Sequence, residues 1–462
     1  MTNEPLMCKG FKPVQAEYDS VALDVEGTWP RELNGTLYRI GPNPQFMPIP
    51  PYNPLMADGM VHAFSVSGGR VFYQNKWVRT RRWQLEHKAG RALFATSGDP
   101  RGHDDSVSGV ATNGVANTHI VAHAGKLLAL DEGHLPIELD PQTLSTKGSC
   151  SFNGSLTSNM TAHPKVDPLT GDLIYFANYP NMKFDGSIDW GVIDKSGVVT
   201  ENHTIKAPYA CLVHDFVVTT DFIVIPFCPL TLSIDRMMQG LPPIAWEPQK
   251  KTLLAIVKRS APEDVRWFEG PSVFVWHFLN GWNIGDEIIV DLCQQNQPSF
   301  PGADGALPNP QGSKQKLTRW CIDWAKGPFY STDNLSDTVC EYPRIDDRFA
   351  TLPTRHGFVA CSGGPGTDDM FHRAIGHFDG LSKQMLTYSF GDHCAVSEPV
   401  FIPRHKLAEE GDGFLICLVY NEQTDTSSVQ LFEAQKVQRG PIALAQVSTR
   451  VPMGFHGSWI AS

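Results

Sequence analysis

Four histidines lie in or beside strongly apolar, β-rich segments, and they are the first candidates for chemistry. They are His163, His214, His277 and His456. An imidazole is costly in an apolar core unless its nitrogens find partners, and four of them on one axis could hold a metal ion. Four neutral imidazoles leave the charge of a divalent ion uncompensated, which suits iron, copper or zinc. The alternative is that each is a core histidine with its own hydrogen bonds.

Other ionisable residues offer weaker patterns. His377 and Asp379 have the H-x-D spacing of two arms of an iron-binding facial triad, although their surroundings are more typical of a strand that ends in an Asp-Gly turn. Glu132, Glu341 and Glu398 stand among apolar or aromatic residues. They are either surface or turn carboxylates, or acceptors for the outer N–H groups of metal-bound histidines, a contact that fixes the tautomer and orientation of the ring.

Composition and motifs disfavour several classes of protein. The chain has 462 residues with 38 Lys and Arg against 49 Asp and Glu, a net charge of −11. Nucleic-acid binding, which needs a basic face, is therefore not expected. The motifs of phosphate-binding loops, nucleophile elbows and H-E-x-x-H metalloproteases do not occur in the sequence. The 10 Cys include no C-x-x-C pair and are expected to be mostly buried, reduced thiols.

Short strands must position these residues. Runs of β-branched, aromatic and aliphatic residues end in Gly, Asp or Asn turns along the whole chain, as in GTLYR (35–39), DLIYFA (172–177) and FLICLVY (414–420). Alternating helices are absent from the pattern and no shift in composition marks a linker, so residues 1–462 are expected to form one all-β domain. A β-propeller would protect the many strand edges and leave a central channel, and a pair of β-sandwiches fits almost as well.

Targeting signals are also absent from the pattern. The N-terminus lacks the basic and apolar regions of a signal peptide, and no apolar run approaches the roughly 18 residues that a spanning helix needs. The sequence therefore predicts a cytoplasmic protein, and its oligomeric state stays open. An apolar insertion at residues 227–246 is expected either to pack as an ordinary loop or to dip transiently into a membrane and collect lipid.

A set of short motifs, in a fixed order, resembles one known family. From about residue 25 to the C-terminus the chain is similar to the carotenoid cleavage oxygenases, a family that includes stilbene- and phenylpropanoid-cleaving enzymes. Each motif is short, and the ordered set carries the resemblance. The motifs are LNGTLYRIGPNP (33–44), DGMVH (58–62), ANTH (116–119), ELDP (138–141), TAHP (161–164), HDF (214–216), EYPR (341–344), SEP (397–399) and HGSW (456–459).

The resemblance implies a seven-bladed β-propeller with long loops that form a cap over an Fe(II) ion on its axis. By motif, the iron ligands fall on the four histidines named above. The family's orienting glutamates fall on the three glutamates named above, one for each of the last three histidines, and His163 has none.

The resemblance also implies a reaction. Four histidines leave iron positions open for O₂, and the alkene itself must be the reductant because the sequence suggests no site for another electron donor. O₂ adds across an electron-rich conjugated double bond, which breaks into two carbonyl products. The substrate is expected in a dry apolar tunnel, and each of its candidate wall residues is alternatively a plain core residue. The candidates are Phe46, Trp276, Phe278, Phe300 and Phe455.

Two further positions bear on the substrate. The stilbene- and phenylpropanoid-cleaving members carry a Tyr and a Lys that hold and deprotonate a phenol, and by local alignment these positions are Ser97 and Asp131 here. Because an Asp cannot stabilise a phenolate, the sequence favours an apocarotenoid, whose polyene is already electron-rich. The alternatives are a stilbenoid or phenylpropanoid alkene, a non-oxidative isomerase with the same iron site, and a binding-only propeller.

Overall fold

Antiparallel strands dominate the molecule. The computed structural model describes residues 7–97, 99–180, 183–308, 310–362 and 371–462, and this part of the chain forms 32 strands and two short α-helices. The strands form six large sheets and one two-stranded hairpin. The structure therefore confirms a mostly β fold, as the sequence predicts.

The first three sheets follow one another along the chain. Sheet 1 contains β1 (Tyr18–Ala22), β3 (Gly35–Pro42), β4 (Gly59–Ser67), β5 (Arg70–Trp77) and β32 (Gly457–Ala461). Sheet 2 contains β6 (His119–His123), β7 (Lys126–Leu130), β8 (Ile137–Leu139) and β9 (Thr146–Ser149). Sheet 3 contains β10 (Lys165–Val166), β11 (Leu173–Asn178), β12 (Ser187–Ile193) and β13 (Val199–Lys206).

The remaining strands form three large sheets and the hairpin. Sheet 4 contains β14 (Val217–Val218), β15 (Phe222–Phe227), β18 (Thr252–Lys258) and β19 (Ala261–Gly270), and the hairpin pairs β16 (Leu230–Leu232) with β17 (Ile244–Trp246). Sheet 5 contains β20 (Phe274–Ile284), β21 (Glu287–Gln295), β22 (Lys316–Asp323), β23 (Tyr330–Arg344), β24 (His356–Cys361), β25 (Ala374–Asp379) and β26 (Gln384–Ser389). Sheet 6 contains β2 (Asp24–Gly27), β27 (Cys394–Val396), β28 (Val400–Pro403), β29 (Gly413–Asn421), β30 (Thr426–Glu433) and β31 (Ala443–Val447).

Side-chain alternation and turn residues explain the strands. In β5 the buried Val71, Tyr73 and Trp77 alternate with more exposed residues, as expected for a strand with one face on the core. Gly68 and Gly69, between β4 and β5, have φ of 57° and 79°. Two consecutive residues of positive φ make the tight hairpin turn that matches the twist of the strands, and glycine adopts them without strain.

The long strand β23 divides sheet 5 into two halves. Its first part, Tyr330 to Asn334, pairs with β22, whereas Cys340, Glu341 and Arg344 pair with β24. The register shifts within both pairings. The first half of sheet 5 is thus β20–β23, and the second half is β23–β26.

The cores lie between successive sheets. Phe176 of sheet 3 packs in one apolar cluster with Ile225 of sheet 4, and Phe222 of sheet 4 packs in the next cluster with Trp320 of sheet 5. The same arrangement joins sheets 1 and 2, sheets 2 and 3, the two halves of sheet 5, and sheets 5 and 6. A seventh cluster joins sheet 6 back to sheet 1. The succession of packed sheets therefore closes on itself.

The two ends of the chain reinforce this closure. The N-terminal β2 adds to sheet 6 beside β31, and the C-terminal β32 adds to sheet 1 beside β3. Trp29, just after β2, donates its indole N–H to the carbonyl of Leu444. The N-terminal segment therefore adds a strand to the C-terminal sheet 6, and the C-terminal segment adds a strand to the N-terminal sheet 1.

The helices are short connections at the surface. None of the helices in the described ranges combines the length and the apolar character needed to cross a membrane. The α-helices are α1 (Arg81–Ala89) and α2 (Ile234–Met238). The 3₁₀ turns are Lys9–Phe11, Pro54–Met56, Pro100–Gly102, Asp105–Val107, Pro310–Ser313, Asp347–Phe349 and Ala434–Arg439.

The apolar insertion at residues 227–246 forms the β16–β17 hairpin with α2 at its tip. Its root packs as a loop, because Leu230 and Trp246 are buried in a cluster with Phe274. Its tip exposes Ile234 and Met238, which are 41% and 69% exposed. The root of the insertion therefore packs against the rest of the protein, as the first of the two alternatives expects. Contact with a membrane and the cytoplasmic location stay predictions.

The H-x-D pair is part of a strand. His377 and Asp379 lie at the end of β25, and Asp379 forms two hydrogen bonds of 2.7 Å with Arg355. His377 Nε2 lies 2.9 Å from Nδ1 of His356. The iron-triad alternative is wrong, because the carboxylate is paired with Arg355 and the imidazole with a second histidine.

His377 makes the stability of the protein depend on pH. Burial lowers the pKa of His377 from 6.5 to about 4, so the folded chain keeps the ring neutral while the unfolded chain protonates it. Above pH 6.5 the ring is neutral in both states, so the free energy of unfolding does not depend on it. The free energy of unfolding then decreases as the pH falls from 6.5 towards 4, because only the unfolded chain binds the proton. Between pH 6.5 and about pH 5, His377 should lower the free energy of unfolding by about 2 kcal/mol.

Urea unfolding of the wild type and of His377→Phe, at neutral pH and at about pH 5, measures this effect. The variant should lose less stability on acidification, and His405→Phe, at an exposed histidine, should behave as the wild type. An equal loss in the wild type and in His377→Phe would contradict the assignment.

Candidate metal centre

Four sheets each bring one histidine to the centre of the molecule. His163 lies two residues before β10, and His456 immediately precedes β32. His214 lies three residues before β14, and His277 lies within β20. Each of these four strands is the edge strand of its sheet. The four side chains meet although they are far apart in sequence.

The four imidazoles converge on one point. One ring nitrogen from each lies within 4.8 Å of the others. The Nε2 atoms of His163 and His214 are 3.1 Å apart, and those of His214 and His277 are 3.2 Å apart. The sequence prediction that these histidines come together is therefore matched by the geometry. His277 is the most exposed of the four, with 12% of its side chain accessible.

The three predicted glutamates contact the outer nitrogens of three histidines. Glu341 Oε2 lies 2.6 Å from Nδ1 of His277, and Glu398 Oε1 lies 3.0 Å from Nδ1 of His456. Glu132 contacts Nδ1 of His214. Among the ion pairs of the described residues, none joins His163 to a carboxylate, as the resemblance implies.

This pattern of contacts suits a divalent transition metal. An ionised carboxylate only accepts hydrogen bonds, so each contacted Nδ1 is the protonated nitrogen and each Nε2 carries a lone pair. The Nε2 lone pairs of His214 and His277 then face each other at 3.2 Å with no proton between them, an arrangement that a bound cation stabilises. Neutral imidazole nitrogen is a ligand for iron, copper, zinc and nickel.

Burial and neighbouring charges set the protonation states of three of the histidines and of Glu398. Burial holds the pKa of His163 and His456 well below the usual value. Burial also opposes protonation of His277, but Glu341 outweighs it and raises that pKa. Burial disfavours the charged form of Glu398, yet Arg344 and His456 hold its pKa well below the ordinary value. Metal binding requires neutral imidazoles, a state that burial favours at His163 and His456 and that Glu341 opposes at His277.

Asp215 holds three of the histidine-bearing segments together, and the sequence analysis did not assign it a role. Its carboxylate accepts hydrogen bonds from the backbone N–H groups of Phe216 and Phe278, at 2.8 and 2.9 Å. Lys165 pairs with it at 2.7 Å. These contacts link residues next to His214, next to His277 and two positions after His163. The HDF motif contained this residue and was the only signal for it.

His119 is a fifth histidine beside the centre, and it too was missed as a site residue. Its ring centroid lies 5.3 Å from that of His456. Its Nδ1–H donates to the carbonyl of Ala162 at 2.8 Å, and Nε2 lies 3.4 Å from the Ser458 hydroxyl. Burial lowers its pKa to about 4. His119 thus bridges the segments of His163 and His456, and its position in the ANTH motif at the start of β6 was the available signal.

The predicted tunnel residues divide into different environments. Trp276 packs edge-on against His214 with ring centroids 4.7 Å apart, and Phe300 follows at 6.1 Å from Trp276. Phe278 is buried and packs on Trp320 in the core between sheets 4 and 5. Phe46 and Phe455 are partly exposed. Trp276 thus lies at the centre with Phe300 beside it. Phe278 fits its core alternative, and the tunnel itself stays a prediction.

The two aligned substrate positions differ in their surroundings. Ser97 is partly exposed and its hydroxyl accepts from the Asp99 N–H at 3.3 Å. Asp131 is buried, and it accepts hydrogen bonds from the backbone N–H groups of Val115, Ala116 and Gly133. It also pairs with Nδ1 of His134 at 3.1 Å. The carboxylate of Asp131 therefore joins its own turn to the segment of Val115 and Ala116.

A cavity with a mainly apolar lining reaches the centre. Its volume is about 480 Å³, and His163, His277, His456 and Glu398 line its inner end. Of the candidate tunnel residues, only Phe278 is among the described residues that line it. Trp276 does not line this cavity, so Trp276 and the cavity contact the histidines on different sides.

Comparisons with known proteins agree with this geometry. A family model described as retinal pigment epithelial membrane protein matches residues 11–461. Isoeugenol monooxygenase of Pseudomonas nitroreducens is 33% identical, over 99% of this chain and 98% of that protein. The crystal structure of Pseudomonas brassicacearum lignostilbene dioxygenase has a TM-score of 0.93 at 32% identity, over 99% of this chain and 98% of that one. A mutant of Synechocystis apocarotenoid oxygenase has a TM-score of 0.88 at 27% identity, over 100% and 99%.

Glu398 should control metal affinity through His456. Glu398→Gln removes the charge that fixes the His456 tautomer, and we expect the dissociation constant for a divalent metal to rise by about tenfold to a hundredfold. Competition with a chelator of known affinity measures this constant. The matched control is Glu433→Gln, which alters a carboxylate paired with Arg404 away from the centre. Tight metal binding by Glu398→Gln, equal to that of the control, would rule out the orienting role.

Proposed function

Because this chain belongs to the carotenoid cleavage oxygenase family, we propose that it is an iron(II) dioxygenase that cleaves a conjugated C=C bond with O₂ into two carbonyl products. The observation that carries the proposal is the convergence of four imidazole nitrogens within 4.8 Å. Its relatives are named as monooxygenases and dioxygenases, so the chain is an oxygenase. The metal, the bond and the substrate are the proposed parts.

We propose that the four histidines hold Fe(II) through their Nε2 atoms. When bound there, iron(II) supplies the activation of O₂. The four ligands are neutral, so the carboxylates of Glu132, Glu341 and Glu398 offset the positive charge from just outside the rings. Trp276 shields His214 from water on one side. The protein thus positions the reactants, offsets the charge of the ion and excludes water, and no side chain needs to transfer a proton.

The proposed substrate is a phenylpropanoid or stilbenoid alkene. The relatives named for isoeugenol and lignostilbene are 33% and 32% identical to this chain, whereas the apocarotenoid oxygenase is 27% identical. The comparisons thus favour this alternative over the apocarotenoid expected from Ser97 and Asp131. Asp131 does not supply the phenol activation, because its carboxylate is occupied by backbone N–H groups and His134, so another group must hold the phenol of such a substrate.

The proposed architecture is a seven-bladed β-propeller in a single domain, residues 1–462. Division of sheet 5 at β23 gives seven groups of strands, and seven apolar clusters join neighbouring groups in a closed succession. The family match over residues 11–461 supports one domain. The loops that carry Phe46 and Glu132, together with the β16–β17 hairpin, are the candidates for a cap over the iron.

Substrate cleavage can be tested directly. Iron-loaded protein is incubated under ¹⁸O₂ with isoeugenol, resveratrol or an apocarotenal, and the products are identified by mass. We expect aldehydes from isoeugenol or resveratrol, with the label in at least one product. His277→Ala should lose both iron and product, because one of four ligands is missing.

Each other outcome selects a different alternative. Cleavage of the apocarotenal alone would support the apocarotenoid substrate that the sequence favoured. An isomerised, unlabelled product would indicate the non-oxidative enzyme. Ligand binding by a wild type that never takes up iron would indicate the binding-only propeller.

Trp276 and Phe278 flank His277 and should differ in their effects. Trp276→Ala removes the aromatic wall beside His214, and we expect kcat/KM to fall by roughly tenfold at unchanged iron content. Phe278→Leu should lower the free energy of unfolding by about 1–2 kcal/mol, because it disturbs the packing on Trp320. Steady-state kinetics and urea unfolding of both variants measure the difference. Unchanged kcat/KM in Trp276→Ala would remove it from the tunnel wall.

A further inference from the structure

Strand β23 contains one extra residue where it passes the four-histidine centre. Glu341 and Arg344 are three residues apart, whereas Ala360 and Phe358, their partners in β24, are two residues apart. This count is that of a β-bulge, and we call residues 341–344 the β23 bulge. Tyr342, the first of the two inserted positions, has a φ of 52°. The left-handed conformation is rare for a bulky residue and is adopted here at the centre of the molecule.

The β23 bulge brings two charged side chains to the same side of the strand. Residues three apart in a regular strand point to opposite faces, and the extra residue cancels this alternation. Glu341 Oε2 lies 2.6 Å from Nδ1 of His277. Arg344 lies 3.3 Å from Oε2 of Glu398 and donates to the carbonyl of Gly457 at 2.9 Å. Both side chains therefore reach the four-histidine centre from one short segment.

Arg344 is connected to His456 through Glu398. The carboxylate of Glu398 places Oε1 3.0 Å from Nδ1 of His456, and its Oε2 accepts the N–H of Gly457 at 2.9 Å. Arg344 contacts the same Oε2 and the carbonyl of the same glycine. The guanidinium thus holds both the carboxylate and the backbone that fix this ring.

The inserted tyrosine packs on the same two histidines. The ring centroid of Tyr342 lies 5.4 Å from that of His277, with the ring planes 25° apart, and 5.4 Å from that of His456. A left-handed conformation at a residue with a Cβ atom is strained, and such strain persists only where the surrounding structure imposes it. At Tyr342 it coincides with the contacts that two of the four histidines receive.

We propose that the β23 bulge is one positioning element for two metal ligands, His277 and His456, and that the left-handed conformation of Tyr342 sets their relative position. The inference rests on the proposed function, since it takes the four histidines to be a metal site. His214 is an internal reference, because its outer nitrogen contacts Glu132, which lies outside the bulge.

Two substitutions at Tyr342 separate the backbone conformation from the ring. Tyr342→Gly and Tyr342→Val both remove the ring, but glycine adopts a positive φ readily and the β-branched valine does not. The matched control is Lys383, an exposed turn residue with a φ of 55°, changed to the same two residues. The probe is Co(II), and competition with a chelator of known affinity measures its dissociation constant in each protein.

Tyr342→Val should bind Co(II) at least about tenfold more weakly than Tyr342→Gly, because its ligands lose their preset geometry. The two Lys383 variants should bind Co(II) equally. Equal affinity in the two Tyr342 variants would overturn the proposal, as would the same difference between the two Lys383 variants.

Proton NMR of the Co(II) proteins identifies which ligands move. The paramagnetic ion shifts the Nδ1–H signal of each bound histidine, and substitution of the orienting glutamates assigns the signals. Between Tyr342→Gly and Tyr342→Val, the signals of His277 and His456 should change position and that of His214 should not. An equal change in all three signals would indicate a general disturbance of the fold and contradict a positioning element for two ligands.

A double-mutant cycle tests the connection from Arg344 to His456, and it tests the proposal independently if Tyr342→Val does not fold. Arg344→Met should raise the dissociation constant for Co(II) about tenfold in the wild type and less than about threefold in Glu398→Gln, because Arg344 acts through that carboxylate. Equal factors in the two backgrounds would remove Arg344 from the element. If the wild type binds neither Co(II) nor Fe(II), the proposed function fails; if it binds them and no variant changes the affinity, only the positioning element fails.

Discussion

The close approach of several unprotonated imidazole nitrogens is the interaction on which the rest of this structure depends. Glu341 and Glu398 accept hydrogen bonds from the outer nitrogens of His277 and His456, which leaves lone pairs on the inner ones. Such an arrangement repels itself unless a cation lies within it, so the surrounding structure must hold the rings in place. The orientation that costs stability without a metal is the one that binds a metal with little rearrangement.

Closure of the fold supplies that rigidity. Each histidine lies near the start of an edge strand of a different sheet, and the sheets pack in a succession in which the last sheet contacts the first. The apolar interfaces of each sheet with its neighbours resist displacement of the backbone that carries the ring, and the glutamates on the outer nitrogens resist its rotation. Asp215 adds a local constraint, since it joins the segments of three histidines through Phe216, Phe278 and Lys165.

The sequence predicted the histidines and the mostly β fold because both depend on local patterns. Short β-branched runs predict strands anywhere, and an imidazole among apolar residues is conspicuous in any strand. The roles of Asp215 and His119 were not predictable, because most of their partners are distant in sequence. Asp131 shows the same limit: alignment identified the position, but only the folded loop shows that the N–H groups of Val115 and Ala116 occupy its carboxylate.

Two demands meet at the centre and are placed on different sides of it. Cleavage of an apolar alkene requires a dry aromatic surface, which Trp276 provides against His214. Metal binding requires a fixed set of inward lone pairs, which Glu341 and Glu398 provide from behind the rings of His277 and His456. The charges thus lie at the outer nitrogens of the rings, whereas the apolar wall lies against the face of the site. One buried site can therefore be both charged and dry.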